Sequence, residues 1–217
     1  MTHDDQQGVP TPLVGGTWDQ RIARALVRPL ADTPVTPNHI TTIRLLVGLL
    51  AGGCIALGEP VWSWWGAGLF MLSNLIDHAD GELARMTGKA SRFGHTYDIG
   101  CDAMVHVLLF TALGIGLRDS SLGFAAVILG LAAGLGVSAL FWVFGHRATL
   151  FAKDAVQPRW GGFDLEDVLY LVGPMIWLGW QMPLLLAAAG ISPLAALCMF
   201  WCHRQSLLEK LKLGRGE

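Results

Sequence analysis

At 217 residues the chain has room for one domain of ordinary size and not for a second large one. It is 53% hydrophobic and only 15% charged, with a mean hydropathy of +0.47, which excludes an ordinary soluble domain and points to an integral membrane protein. The net charge of -2 excludes little, since in such a chain the positions of the charges matter more than their sum.

Residues 1–16 are polar and rich in Gly, Pro and Asp, with no apolar core behind a basic start, so they read as a disordered tail and not as a signal peptide. Residues 17–32 follow as an amphipathic helix. At 100° per residue Trp18, Ile22, Ala23, Leu26, Val27 and Leu30 share one half of the wheel, and Arg21, Arg24 and Arg28 cluster on the other. That pattern suits a helix lying flat on an anionic membrane surface, ended or bent by Pro29.

Pro34 to Asn38 break the chain before the first long apolar run. A membrane span needs about 20 mostly apolar residues. Six fit within residues 36–213: Ile40–Leu57, Val61–Ile76, Asp98–Leu117, Leu122–Phe144, Val168–Ala189 and Ile191–Gln205. The second continues as helix to about Arg85, and Gly190, Ser192 and Pro193 supply a turn between the last two. The fold expected is therefore all-α and integral to the membrane, with six transmembrane helices behind an interfacial helix. Cys54, Cys101, Cys198 and Cys202 fall in apolar stretches and read as buried thiols.

The basic residues orient this layout. With the N-terminus in the cytoplasm, Arg21, Arg24, Arg28, Arg44, Arg85, Lys89, Arg92, Arg147, Lys153, Arg159, Arg204, Lys210, Lys212 and Arg215 all fall on or near the cytoplasmic side, and Arg118 alone falls outside. Both termini are then cytoplasmic. Trp62, Trp64 and Trp65 stand where an outer aromatic belt would lie.

Four aspartates stand out against this apolar background: Asp77, Asp80, Asp98 and Asp102, with Arg85 the nearby arginine of the stretch. Carboxylates beside a membrane core are costly unless their charge is offset. On a helix Asp77, Asp80, Gly81, Ala84 and Arg85 fall within an arc of about 140°. Asp98 and Asp102 share a face one turn apart on the next helix. Gly88 and Gly94 supply a tight turn between the two, so the aspartate faces can meet. Four such oxygen donors suit a hard cation, Mg²⁺ or Mn²⁺, and are enough for two ions about 4 Å apart of the kind that clamps a phosphoryl displacement. Gly81 and Ala84 leave room for a bulky ligand, and Arg85 is placed to pair with a phosphate. The residues alone indicate metal-dependent chemistry on a phosphate-containing substrate at the cytoplasmic face.

The stretch from Asp77 to Asp102 matches D-x2-D-G-x2-A-R-x8-G-x3-D-x3-D at Asp77, Asp80, Gly81, Ala84, Arg85, Gly94, Asp98 and Asp102. It resembles the CDP-alcohol phosphotransferase (phosphatidyltransferase) family, whose six-helix layout and preceding amphipathic helix are similar to the reading above. The resemblance implies that Asp77, Asp80, Asp98 and Asp102 hold two Mg²⁺ or Mn²⁺ ions on a CDP diphosphate. Asp102 would also take the proton of an acceptor hydroxyl attacking the β-phosphorus, with CMP leaving. Gly81, Ala84 and Arg85 would contact the CDP moiety, with Ser91 adding a phosphate contact. Pro37-Asn38-x2-Thr41 resembles the family segment beside the nucleotide, which brings Asn38 and Thr41 into the same group. The resemblance further implies a CDP-linked lipid donor such as CDP-diacylglycerol, a polar alcohol acceptor, a homodimer, no nucleic-acid partner, and a bacterial-type inner membrane.

The acceptor alcohol is not legible in the motif. His146 and Arg147 end the fourth span and Arg204 the sixth, at the level of the aspartates, where a basic lining would hold a phosphorylated acceptor. His95 and His106 share the face of Asp98 and Asp102, and His106 reads as a hydrogen-bonded core residue. Three other readings compete with CDP-diacylglycerol transfer. A soluble CDP-alcohol could serve as donor to a lipid acceptor. An intramembrane prenyltransferase also uses aspartates and Mg²⁺, but places its motifs farther apart along the chain. A cation transporter would disperse its carboxylates along a path across several helices, whereas here they are confined to two.

Overall fold

The computed structural model of the chain describes residues 18–145 and 165–213, with side chains described to Val143 and from Asp167 to Cys202. The expected tail 1–16 and the pair His146 and Arg147 lie outside the described residues, as does the side chain of Arg204. All elements within them are helical: α1 (Trp18–Val27) with a 3-10 turn at Arg28–Leu30, α2 (Pro37–Ala56), α3 (Pro60–Thr87), α4 (Arg92–Gly116), α5 (Ala125–Gly145), a 3-10 run Leu165–Leu171 leading into α6 (Val172–Trp177), and α7 (Gln181–Leu213).

Local chemistry sets the boundaries that matter to the site. Pro37 and Pro60 open α2 and α3 at positions where a missing N–H costs nothing. Gly88 ends α3 in the left-handed conformation, at φ 65°, where a side chain would be strained. Ser91 then caps α4, its hydroxyl oxygen accepting from the Gly94 N–H at 2.9 Å. Gly94 is therefore helical and not part of the turn. A Cβ there would stand 3.0 Å from Asn38 Oδ1, so its bareness admits the Asn38 side chain.

α2, α3, α4 and α5 form an antiparallel bundle around Ala51, Ile55, Phe70, Leu109 and Leu113, with α7 closing against α5. Between α4 and α5 the backbones nearly touch: a Cβ on Gly130 would overlap the Phe110 carbonyl, and one on Gly134 would meet Val107 Cα at 2.7 Å. Small residues draw membrane helices together in this way, where dispersion replaces the hydrophobic effect. α1 lies across α3, burying Ala23 and Val27 against Ile40, Ala79 and Leu83 while Ile22 and Leu26 stay exposed.

The chain is a membrane protein. Four helices are long and apolar enough to cross a bilayer: α2, α4, residues 125–143 of α5 and residues 181–202 of α7. α3, at 28 residues, exceeds each of these four spans in length but mixes small and acidic residues into it, and the apolar run 167–177 is short. The fifth and sixth segments differ from the sequence reading. The chain turns at Leu178–Trp180, where Gly179 has φ 75°, and α7 then runs unbroken through Gly190, Ser192 and Pro193. A helix end at that depth would strand carbonyl groups away from water, so a proline inside the helix costs less than a turn. Ser192 Oγ donates to the Ala188 carbonyl at 2.8 Å, and bare Gly136 of α5 makes room for Ser192 and Pro193.

The two ends of the bundle differ in character. Exposed Trp62, Trp64, Trp65, Trp177 and Trp180 gather at one end, where Trp177 Nε1 donates to the Trp64 carbonyl at 3.1 Å. Arg118, at that same end, donates to the Ala56 and Ile115 carbonyls at the close of α2 and α4. The aspartates lie at the other end.

Candidate active site

α3 and α4 present their aspartates toward each other, as the helical spacing requires. Carboxylate oxygens of Asp77, Asp98 and Asp102 all lie within 4.8 Å of one another. Arg44 of α2 enters this group from below, its side chain 3% exposed. One guanidinium nitrogen, Nη1, donates to Asp77 and, at 3.1 Å, to Asp98, and the other, Nη2, donates to Asp102 at 2.5 Å. Three carboxylates face one guanidinium, a formal surplus of two negative charges. A hard-oxygen donor set with that residual charge fits a divalent cation.

Asp80 stands apart from the three. It is buried, and its Oδ2 accepts from the Thr41 hydroxyl of α2 at 2.6 Å. It faces a cavity of about 220 Å³ whose wall contains Asn38, Thr41, Asp80, Gly81, Ala84, Arg85 and Ser91, every residue the sequence assigned to the nucleotide. A second cavity of about 180 Å³ lies deeper, lined by Arg44, Asn74, Asp77, Asp102, His106, Ser138, Phe141 and Trp142. His95 and Asp98 line both cavities and form the wall between them.

Arg85 is held by a neighbour that sequence reasoning passed over. Its Nη2 donates to Glu82 Oε1 at 2.7 Å, and Arg24 of α1 donates through Nε to Glu82 Oε2 at 2.9 Å. Burial alone would push the Glu82 carboxyl up, but the hydrogen bonds from Arg24 and Arg85 outweigh it and hold the group below the usual carboxylate range. The bond to Glu82 likewise raises the Arg24 guanidinium above its ordinary value. The guanidinium of Arg85 lies across Gly81, its nitrogens 3.6 and 3.7 Å from where a Cβ would sit, so the space left by that glycine is filled in part by the chain itself. A second tie joins α1 to α3, where buried Asp19 meets His78 Nε2 at 3.0 Å. His78 thus anchors α1, although it occupies an unspecified position of the motif.

His106 is buried one turn deeper than Asp102, with its ring centroid 5.3 Å from that of Phe141. The expectation of a hydrogen-bonded core histidine holds only for its burial, because its Nδ1 has no partner among the described residues. Arg44 lies one turn beyond Thr41 on the helix that carries Asn38, a position that puts it near the site but names none of its partners. Glu82, Asp19 and Asn74 carried no such signal.

Residues 34–202 match the family model described as CDP-alcohol phosphatidyltransferase. The chain belongs to that family. Among curated members, a phosphatidylinositol phosphate synthase of Corynebacterium glutamicum is 33% identical over 105 residues, 45% of this chain and 46% of that protein. A cholinephosphotransferase of Danio rerio is 34% identical over 91 residues, 38% of this chain and 23% of that protein. The matched stretch therefore spans less than half the length of either relative. A crystal structure of Mycobacterium tuberculosis phosphatidylinositol phosphate synthase with CDP-DAG bound superposes with a TM-score of 0.60 at 20% identity, covering 86% of this chain and 97% of that one. At that identity the likeness shows a shared fold.

Proposed function

We propose that this membrane protein transfers a substituted phosphoryl group from a CDP-linked lipid, CDP-diacylglycerol, to the hydroxyl of a polar alcohol, with release of CMP. The observation that carries the reading is the pair of abutting cavities that share Asp98 and His95, one lined by all the nucleotide candidates and the other by the aspartate group. In this reading the CDP moiety occupies the cavity of Asn38, Thr41, Gly81, Ala84, Arg85 and Ser91, and the acceptor hydroxyl approaches from the deeper one. Asp102 takes the hydroxyl proton as the acceptor oxygen forms its bond to the β-phosphorus. The bond from that phosphorus to the oxygen bridging the two phosphates breaks, and CMP leaves with the bridging oxygen. Asp77, Asp80, Asp98 and Asp102 would hold Mg²⁺ or Mn²⁺, two ions in all, which when bound supply charge neutralisation at the diphosphate. Arg44 keeps the three clustered carboxylates together and offsets part of their repulsion.

The same reading includes six membrane crossings, with α3 and the segment 165–177 added to the four apolar helices, and places the aspartate end and both termini in the cytoplasm of a bacterial-type cell. The charge distribution and the tryptophans at the opposite end support that orientation. Residues 17–32 would then seat on the membrane surface through Ile22 and Leu26, and 36–213 would form the catalytic unit. It also includes a homodimer, to be checked by the mass of the detergent-solubilised particle. His146, Arg147 and Arg204 remain candidates for the acceptor's charged group. A second reading, a soluble CDP-alcohol with a lipid acceptor, is favoured by the similarity to the cholinephosphotransferase. Membranes supplied with labelled CDP-diacylglycerol and a panel of alcohols separate the two. A new phospholipid and CMP support the first reading, and turnover only with CDP-choline or CDP-ethanolamine supports the second.

A further inference from the structure

Glu82 is a charged residue with only 2% of its surface exposed, and both of its carboxylate oxygens are engaged by arginines. One of those arginines, Arg24, comes from α1, 58 residues earlier in the chain. The other, Arg85, is one turn farther along α3 and lines the cavity assigned above to the nucleotide. Arg85 is itself 57% exposed. A long side chain at such a place has many rotamers of similar energy, and an anchored carboxylate selects among them. Here Glu82 holds Nη2 from one side while the bare Cα of Gly81 lets the guanidinium lie flat against the helix. One carboxylate between two guanidinium groups also leaves a net positive charge, and Lys89 adds to it on the same cavity wall.

We propose that Glu82 is a positioning residue that aims Arg85 at the diphosphate of the nucleotide donor, and that Arg24 of α1 holds Glu82 in that aim. Seating of α1 is thereby coupled to affinity for the donor. α1 has independent anchors in the Asp19–His78 contact and in Ala23 and Val27, so loss of Arg24 alone leaves the helix docked. The inference rests on the donor reading of that cavity.

The test is a titration of CDP, with Mg²⁺ present, into the purified full chain and its Glu82→Gln, Arg85→Ala, double and Arg24→Gln variants, alongside their thermal unfolding. Glu82→Gln should weaken CDP binding about tenfold, the worth of one charge-assisted hydrogen bond. In the Arg85→Ala background the same change should have no further effect on binding, because Glu82 acts through Arg85. Arg24→Gln, whose fold is not at risk, should weaken CDP binding by roughly threefold, within the range of a partly exposed ion pair. Unchanged CDP binding in Glu82→Gln or in Arg24→Gln overturns the proposal, whatever the unfolding temperature does. Independent, multiplying effects of Glu82→Gln and Arg85→Ala overturn it too. If the parent chain binds no CDP, the donor reading falls and this inference falls with it. Binding by the parent with no change in the variants sinks only the inference.

Discussion

Arg44 of α2 donates to Asp102 of α4 at 2.5 Å, across 58 residues of sequence. The same guanidinium reaches Asp77 and Asp98, so a single buried cation ties three helices together at the group proposed to accept the proton. It orders the carboxylates and lowers their repulsion, yet leaves a negative surplus.

Removing that cation has a metal-dependent consequence. Arg44→Ala should destabilise the protein by about 3 kcal/mol when divalent ions are chelated, since clustered carboxylates then lose their partner. Added Mn²⁺ should restore part of the loss, raising the unfolding temperature of Arg44→Ala more than that of the parent chain. Thermal unfolding in detergent with chelator and with Mn²⁺ checks both, and the absence of a Mn²⁺ shift in either protein would count against cation binding at Asp77, Asp98 and Asp102.

Thr41 supplies the hydrogen bond, at 2.6 Å, that satisfies buried Asp80. Thr41→Val keeps the shape and removes the donor, which should cost about 1–3 kcal/mol of stability. Because Asp80 faces the cavity proposed to take the nucleotide, the same variant should raise KM for the CDP-linked donor and leave KM for the alcohol unchanged. Steady-state kinetics varying each substrate in turn measures the split.

Gly130 tests the packing against α4 of α5, whose Ser138, Phe141 and Trp142 line the deeper cavity. A Cβ there overlaps the Phe110 carbonyl, so Gly130→Ala must push α5 away from α4. The expected cost is about 1–3 kcal/mol of overpacking, read as a lower unfolding temperature. Gly53, where a Cβ would meet nothing within 4 Å, is the matched control and should tolerate alanine.

The meeting of Asp77 with Asp98 and Asp102 was legible because helical periodicity is arithmetic, and a short turn brings two such faces together, whereas the expected fourth member, Asp80, is bonded to Thr41 of α2 and stands apart. The residues proposed to contact the nucleotide were grouped for a different reason, through the motif, and the structure brings them to one cavity wall. Arg44 was read only as a charge near the cytoplasmic side. Its partners lie 33, 54 and 58 residues away on other helices, a relationship no local pattern encodes. Glu82 was hidden at an unspecified motif position, where its importance comes from Arg24 on a helix outside the motif. The turn between the last two segments was misplaced because Gly190 and Pro193 look like breakers in isolation. Ser192 and Pro193 instead pack within the helix against Gly136, while Gly179, set among apolar Trp177, Leu178 and Trp180, carries the left-handed turn.

The central claim is that Asp102 acts as the base in a transfer that releases CMP. The direct measurement is CMP formation from CDP-diacylglycerol, with Mn²⁺ and the alcohol panel, by the parent chain and by Asp102→Asn. The account predicts CMP and a matching new phospholipid from the parent, a rate lower by at least about 100-fold in Asp102→Asn, and CDP binding retained by the variant. Full activity in Asp102→Asn, or no CMP from the parent with any CDP-linked donor, would contradict it.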